Sequence, residues 1–162
     1  MERIGVVDTM FARVDMGAIA EGKLATLDGH GNRFEVLRRT VPGIKDLAVA
    51  ARRLIERDDC SIVMACGMPG PADIDQHSAH EASQGIMMVQ VLTGVHVLEV
   101  FVHAREEPEE NRFFELCRRR VESHAVNAHW LLYAPEELRA RAGQGVRQGA
   151  EDAGPLRAGA ST

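Results

Sequence analysis

Short apolar runs alternate with longer segments of helical period, and that alternation sets the expected architecture. Ile4 to Val7 is a continuous apolar run ending at Asp8 and Thr9, as in a buried strand. After Met10-Phe11-Ala12-Arg13-Val14-Asp15, a helix is expected through Ala18 and Leu24, stopped by the breaker Gly29-His30-Gly31. Phe34 to Arg38 reads as a second strand, and Thr40-Val41-Pro42-Gly43 as the turn behind it. From there Ile44, Leu47, Ala48, Ala51, Leu54 and Ile55 recur on one helix face. A third strand is expected from about Cys60 to Ala65. The next helix runs from Ala79 to Leu92, with Ala82, Ile86, Val89 and Leu92 along one side. A fourth strand, Val95 to Val102, ends at His103 and a charged turn.

A long helix is expected from Pro108, a residue suited to a first turn. Phe114, Cys117, Val121, Ala125 and Leu132 keep its period until Pro135 interrupts, and a shorter piece, Glu136 to Ala142, follows. From Gly143 to Thr162 almost no large apolar residue remains. Residues 1–142 are therefore expected to form one α/β domain, and 143–162 a mobile tail unless a ligand or partner orders it. The repeated strand–helix alternation implies βαβ units and a four-stranded, mainly parallel sheet with helices on both faces.

At 162 residues the chain can bury one real core, and 45% hydrophobic with 27% charged residues places it among globular proteins. A single Trp and a single Tyr leave that core to Val, Leu, Ile, Met and Ala. A net charge of −5 argues against a nucleic-acid partner, which would demand clustered Lys and Arg. The one basic run, Arg118-Arg119-Arg120, sits beside Glu115 and Glu122 and reads as a solvated helix face. Cys60, Cys66 and Cys117 have no framework spacing, which fits reduced thiols in a cytoplasmic protein. The N-terminal apolar run is too short for a signal peptide, and no segment is apolar for long enough to span a membrane.

Candidate chemistry concentrates between Met64 and Gln84. Gly67, Pro69, Gly70 and Pro71 forbid both helix and ladder, and Asp73, Asp75, His77, His80 and Glu81 lie between them and an alanine-rich helix start. A strand ending in such a loop is where open α/β sheets hold ligands. Histidine is the side-chain type whose charge changes near neutral pH, so His77 and His80 are the default general acid/base candidates. Glu81 is favoured at a helix start by the dipole alone. His103 joins the candidates because it closes the fourth strand on the same sheet edge, whereas His124 and His129 are expected to decorate the long helix. Only the aspartates have plausible spacing for Mg²⁺ and the histidines lack a second pair, so no dedicated metal cage is expected. A Walker loop, G-x-G-x-x-G after the first strand, G-x-S-x-G and H-E-x-x-H are all absent. That weighs against P-loop enzymes, dinucleotide dehydrogenases, nucleophile-elbow hydrolases and zincins.

Several blocks resemble the archaeal-type riboflavin synthase family. They are Arg3-Ile-Gly-Val-Val-Asp-Thr9, Phe11-Ala-Arg-Val-Asp-Met-Gly17, Arg39-Thr-Val-Pro-Gly-Ile-Lys-Asp-Leu47 and Gly67-Met-Pro-Gly-Pro71. Ala79-His-Glu-Ala-Ser83, Val100-Phe-Val-His103 and Arg147-Gln-Gly-Ala-Glu-Asp-Ala-Gly-Pro155 extend the resemblance over nearly the whole chain. It implies a flavodoxin-like three-layer sandwich similar to lumazine synthase, assembled as a homopentamer. It also implies a dismutation, without organic cofactor, of two 6,7-dimethyl-8-ribityllumazine molecules into riboflavin and 5-amino-6-ribitylaminouracil, with Mg²⁺ linked to some members. By the same resemblance, substrate contacts would come from Thr9, Phe11 and Arg13, from Gly43, Ile44, Lys45 and Asp46, from Gly67, Met68 and Pro69, and from Arg147. Phe11 would cover a ring face, and Asp46 matches the position of a ribityl-binding glutamate in lumazine synthase.

One departure matters. Lumazine synthase carries a Thr-Thr-His segment where this chain has Pro71-Ala-Asp-Ile-Asp-Gln-His77, so the proton-handling role stays open among His77, His80, Glu81 and His103. A non-catalytic binder of flavin precursors and lumazine synthase itself are the competing readings; the lost Thr-Thr-His and the different tail argue against the second. Ile86, Met87, Met88, Val89, Val91 and Leu92 nearly encircle their helix, so part of it is expected to bury against a neighbouring subunit. The active site would then be shared, with Phe11 and Asp46 from one subunit and the end of the fourth strand, near Glu99 and His103, from the next.

Overall fold

The computed structural model describes residues 1–29 and 34–159. Strand β1, Glu2–Thr9, is fully buried from Ile4 onward. It lies between β2, Phe34–Val41, and β3, Ile62–Gly67, and β4, Val97–Phe101, completes the sheet beyond β3. Every pairing is parallel, in the order β2-β1-β3-β4. A central parallel strand faces apolar layers on both sides, which is why Ile4 to Val7 reads as an uninterrupted run rather than an alternation.

Helices α1, Met16–Asp28, and α4, Glu110–Tyr133, cover one face, and their core joins Ile4, Val6, Met64 and Val100 to Met16, Leu24, Cys117 and Val121. On the other face lie α2, Leu47–Asp58, and α3, Asp73–Thr93, where Val7, Val63 and Phe101 meet Leu47, Leu54, Ala82 and Ile86. Helix α5, Pro135–Ala140, opens on its proline. The result is the expected three-layer α/β sandwich. Among the described residues no helix is long and apolar enough to cross a membrane. The three cysteines are buried and unbonded.

Several boundaries move for identifiable reasons. Helix α3 begins at Asp73, six residues before Ala79, because Asp75 accepts the Ala72 amide at 3.0 Å and two aspartates occupy the positive end of the helix. His77, His80 and Glu81 therefore stand on helical turns. Strand β2 continues through Thr40 and Val41, which pair with Asp8 and Thr9. Helix α4 starts at Glu110, not Pro108, since the Glu109 carboxylate accepts the amides of Asn111 and Arg112 at 3.0 and 2.8 Å. Leu92, expected inside, is 64% exposed: the buried positions Ala82, Ile86 and Val89 lead next to Thr93. Phe114 is likewise exposed, its neighbour Phe113 taking the inward position. Helix α1 ends at Asp28 with Gly29 at its cap, and His30 and Gly31 of the expected breaker lie outside the described residues.

Beyond α5 the described residues fold back on α4 without regular structure. Gly145 O accepts the Ala153 amide at 2.9 Å, the Asp152 carboxylate accepts the Arg147 amide at 2.9 Å, and Gln148 O accepts from Arg120 Nε at 3.2 Å.

Candidate active site

A parallel sheet gathers the carboxyl ends of its strands on one edge, and the functional candidates collect there. The backbone of the β1–α1 loop continues the ladder past the end of β2. Met10 N donates to Val41 O at 2.8 Å and Phe11 N to Pro42 O at 3.3 Å. That carries the Phe11 ring, 62% exposed, over the segment entering α2. Beneath it lies a cleft of about 270 Å³ lined by Phe11, Gly43, Ile44, Lys45, Asp46, Gly70, Asp75 and Ser78. Two helical N-termini border it, the 3-10 turn Ile44–Asp46 that feeds α2 and the first turn of α3. The leading amides of such turns have no intrahelical partner and are free to bind oxygens of a ligand.

The aspartates at both starts have structural duties. Asp46 Oδ2 accepts the Gly43 amide at 3.2 Å, which leaves the amides of Ile44 and Lys45 for a ligand. Asp75 caps α3, and a Cβ on Gly70 would overlap its carboxylate. Gly67 is equally constrained: a Cβ would come 2.8 Å from both Ile44 and Phe101. Lys45 reaches across to Glu81 on α3 at 2.6 Å. The hydrogen bond from Lys45, then its charge, hold the Glu81 carboxyl below the usual glutamate range, with His77 and His80 adding to the effect. His80 Nε2 lies 3.1 Å from Gln84 Nε2. His77, His80 and Glu81 thus form an exposed strip on α3 leading away from the cleft mouth.

Other expected site residues lie elsewhere. Thr9, Gly67, Met68 and Pro69 are buried behind the cleft. Thr9 Oγ1 accepts the Ala12 amide at 3.2 Å, and the Met68 sulfur accepts the Arg13 amide at 3.4 Å, so both shape the loop that carries Phe11. The Arg13 guanidinium pairs with Glu110 at 2.7 Å. Arg147 lines a separate hollow with Lys23 and Arg119. His103 stands half-buried on the far flank of the Gly/Pro segment, with Nδ1 2.9 Å from Gln76 Oε1.

Sequence reading missed the network under the β1–α1 loop. Asp8, only 3% exposed, binds the Arg38 guanidinium and accepts from Thr40 Oγ1 at 2.7 Å. Arg38 also reaches Asp15, the cap of α1, and Glu21 at 3.3 Å. The hydrogen bond to Asp8 raises the Arg38 pKa above its ordinary value. A Cβ on Gly17 would overlap both partners. An aspartate at the end of an apolar run, opposite Thr40 in the neighbouring strand and two register positions from Arg38 on the same face, is the signal that could have found it. Ser78, one helical turn from Asp75, carries no such signal.

The aspartates with spacing for Mg²⁺ are engaged by other partners. Asp73 pairs with Arg105 at 2.6 Å and Asp75 is committed to its cap. Among the described residues no three His, Cys, Asp or Glu side chains converge to hold a metal.

The arrangement offers an aromatic face, an apolar wall at Ile44, free amides and a lysine–glutamate pair, which together suit a flat, hydroxyl-bearing heterocycle better than a phosphate or a metal. A family model described as 6,7-dimethyl-8-ribityllumazine synthase matches residues 2–129. The riboflavin synthase of Methanothermobacter thermautotrophicus is 47% identical over 156 residues, covering 96% of this chain and 100% of the relative. The riboflavin synthase of Aeropyrum pernix is 42% identical over 95% of this chain and 97% of its own length. That of Archaeoglobus fulgidus is 39% identical over 95% and 98%.

Proposed function

The chain belongs to the 6,7-dimethyl-8-ribityllumazine synthase family, and on that premise we propose that it works as a riboflavin synthase. The observation that carries this reading is end-to-end similarity to several riboflavin synthases, tail included, on a fold whose edge cleft suits a ribityl-bearing ring. In the reaction one 6,7-dimethyl-8-ribityllumazine gives a four-carbon unit to another, leaving riboflavin and 5-amino-6-ribitylaminouracil. Atoms and electrons balance between two identical substrates, so no oxidant, reductant or organic cofactor is needed. The substrate also brings its own acidic methyl group and electrophilic carbon. The protein's work is to hold two rings face to face and to move protons.

Phe11 then covers one ring, the Ile44 and Lys45 amides take ring or ribityl oxygens, and the second oxygen of Asp46 accepts from a ribityl hydroxyl. The cleft, at about 270 Å³, lies below the roughly 300–1,000 Å³ usual for one small-molecule site, and here two bicyclic ligands must fit. A neighbouring subunit supplies the rest. Ile74, Met87, Met88, Val91 and Leu92 are all exposed on α3, an apolar face that supports burial in a homopentamer. The end of β4, with His103, is the part offered to the next subunit's cleft. Three free cysteines support a cytoplasmic location.

The test is incubation with 6,7-dimethyl-8-ribityllumazine as sole substrate. Riboflavin and an equimolar ribitylaminouracil are expected. Tight binding without turnover would mean a storage or sensing protein, and formation of the lumazine from the uracil and a four-carbon donor would mean lumazine synthase.

A further inference from the structure

A chain of three groups dictates where the imidazole at the end of β4 carries its proton. The Gly70 carbonyl can only accept a hydrogen bond, so the Gln76 group 2.9 Å from it is the amide nitrogen. That turns Gln76 Oε1 toward His103 Nδ1, 2.9 Å away. An amide oxygen also only accepts, so Nδ1 must hold the hydrogen. In the neutral ring Nε2 is then a bare lone pair, and it makes no hydrogen bond among the described residues. The ring is steadied by the edge of Phe101, with centroids 6.4 Å apart, and by the His103 amide, which donates to Glu106 Oε1 at 2.9 Å.

We propose that Gln76 is a positioning residue that fixes His103 as the Nδ1-protonated tautomer, so that Nε2 serves as the proton acceptor of the reaction. This rests on the riboflavin synthase reading. A C–H bond of a lumazine methyl breaks, its electron pair enters the conjugated ring, and Nε2 gains the proton, which it returns later in the cycle. The choice of glutamine has a chemical reason. A carboxylate at that position would stabilise the imidazolium, whereas a neutral amide orients the ring without adding a charge that favours its protonation. The charges beside the ring come in matched pairs: Glu106 is held by Arg120 of α4 at 2.6 Å, and Asp73 of α3 by Arg105 at 2.6 Å.

The experiment reads tautomer and turnover separately. In ¹⁵N-labelled protein without substrate, above the pH at which the ring protonates, nuclear magnetic resonance should show His103 with hydrogen on Nδ1 and a bare Nε2. Gln76→Leu should release the ring to carry hydrogen on Nε2. Its kcat should fall at least about tenfold with KM little changed, less than the roughly 10²–10⁴-fold of losing acid–base help altogether, because the imidazole is still present. Gln76→Glu should restore the Nδ1 hydrogen while moving the acid limb of the kcat profile to higher pH. A wild-type ring with its hydrogen on Nε2 overturns the proposal. So does a Gln76→Leu protein that is folded, has switched tautomer and keeps its kcat within about twofold. If the tautomers behave as stated but no variant or parent makes riboflavin, the functional reading fails and takes the proton-acceptor role with it, while the ring-fixing by Gln76 stands.

Discussion

Two ion pairs stand at the same sheet edge on opposite faces, and they do different work. Arg38 and Asp8 meet where Asp8 is almost wholly buried, and Thr40, Asp15 and Glu21 complete the network. Lys45 and Glu81 meet at the rim of the cleft, both more than half exposed and, among the described residues, without further partners of that kind. Removing one member of the first strands a charge in low dielectric, whereas either member of the second can turn to water. Position, not pairing, separates scaffold from site. The buried network clamps the base of the loop that holds Phe11, and the exposed pair can part when a ligand enters.

The largest effect should come from the buried side. Asp8→Ala should cost about 3 kcal/mol in chemical denaturation, the lower end for breaking a buried pair, because Asp15 and Glu21 still attend Arg38. Gly17→Ala should destabilise as well by forcing the same partners apart. Asp8→Leu combined with Arg38→Met should recover most of the loss. An Asp8→Ala protein as stable as its parent would remove the distinction between the two pairs.

That network also marks where the sequence stops being legible. Strand runs, helix periods and the sheet edge follow from local apolar pattern, and so does the inward row Leu47, Ala51, Leu54. Asp8 reads only as the residue that ends a strand, because its meaning depends on Arg38, thirty positions away. The start of α3 was hidden because aspartates that look like loop residues are also the residues that cap helices. Thr9, Met68 and Pro69 fell in blocks shared with a family, which cannot say which members face the ligand and which stand behind it.

Asp46 lies between the two extremes, because it both caps and lines. Asp46→Ala should weaken substrate binding by roughly 2 kcal/mol through a lost charged hydrogen bond. It should also lower stability by about 1 kcal/mol through the lost Gly43 contact. A stability loss with unchanged KM would make Asp46 scaffold alone.

A smaller effect comes from His124 on α4, whose pKa burial lowers to about 4, with Arg120 adding to the shift. Between the ordinary histidine value of 6.5 and about 4, the unfolded chain takes up a proton that the folded one refuses. Stability should therefore fall as pH drops through that window, and His124→Gln should flatten the slope there. An unchanged slope would place His124 in a hydrated setting.

Smallest of all, Lys45→Ala should leave the melting temperature unchanged and raise KM. Glu81 has a depressed pKa, so the pair holds above the ordinary glutamate range and is lost only as pH falls through that lowered value. A clear drop in melting temperature would show the rim pair to be structural after all.

The shared site is the account's central claim, and subunit mixing tests it most directly. Assayed with substrate below the parent's KM, Asp46→Ala, lesioned in the cleft, and His103→Ala, lesioned at the end of β4, should each be nearly inactive as pure assemblies. Dissociated together and reassembled in equal amounts, they should recover activity at about a quarter of the sites, those where an intact cleft faces an intact strand end. Mixed assemblies verified by mass that stay at the activity of the pure variants would contradict a site built from two subunits.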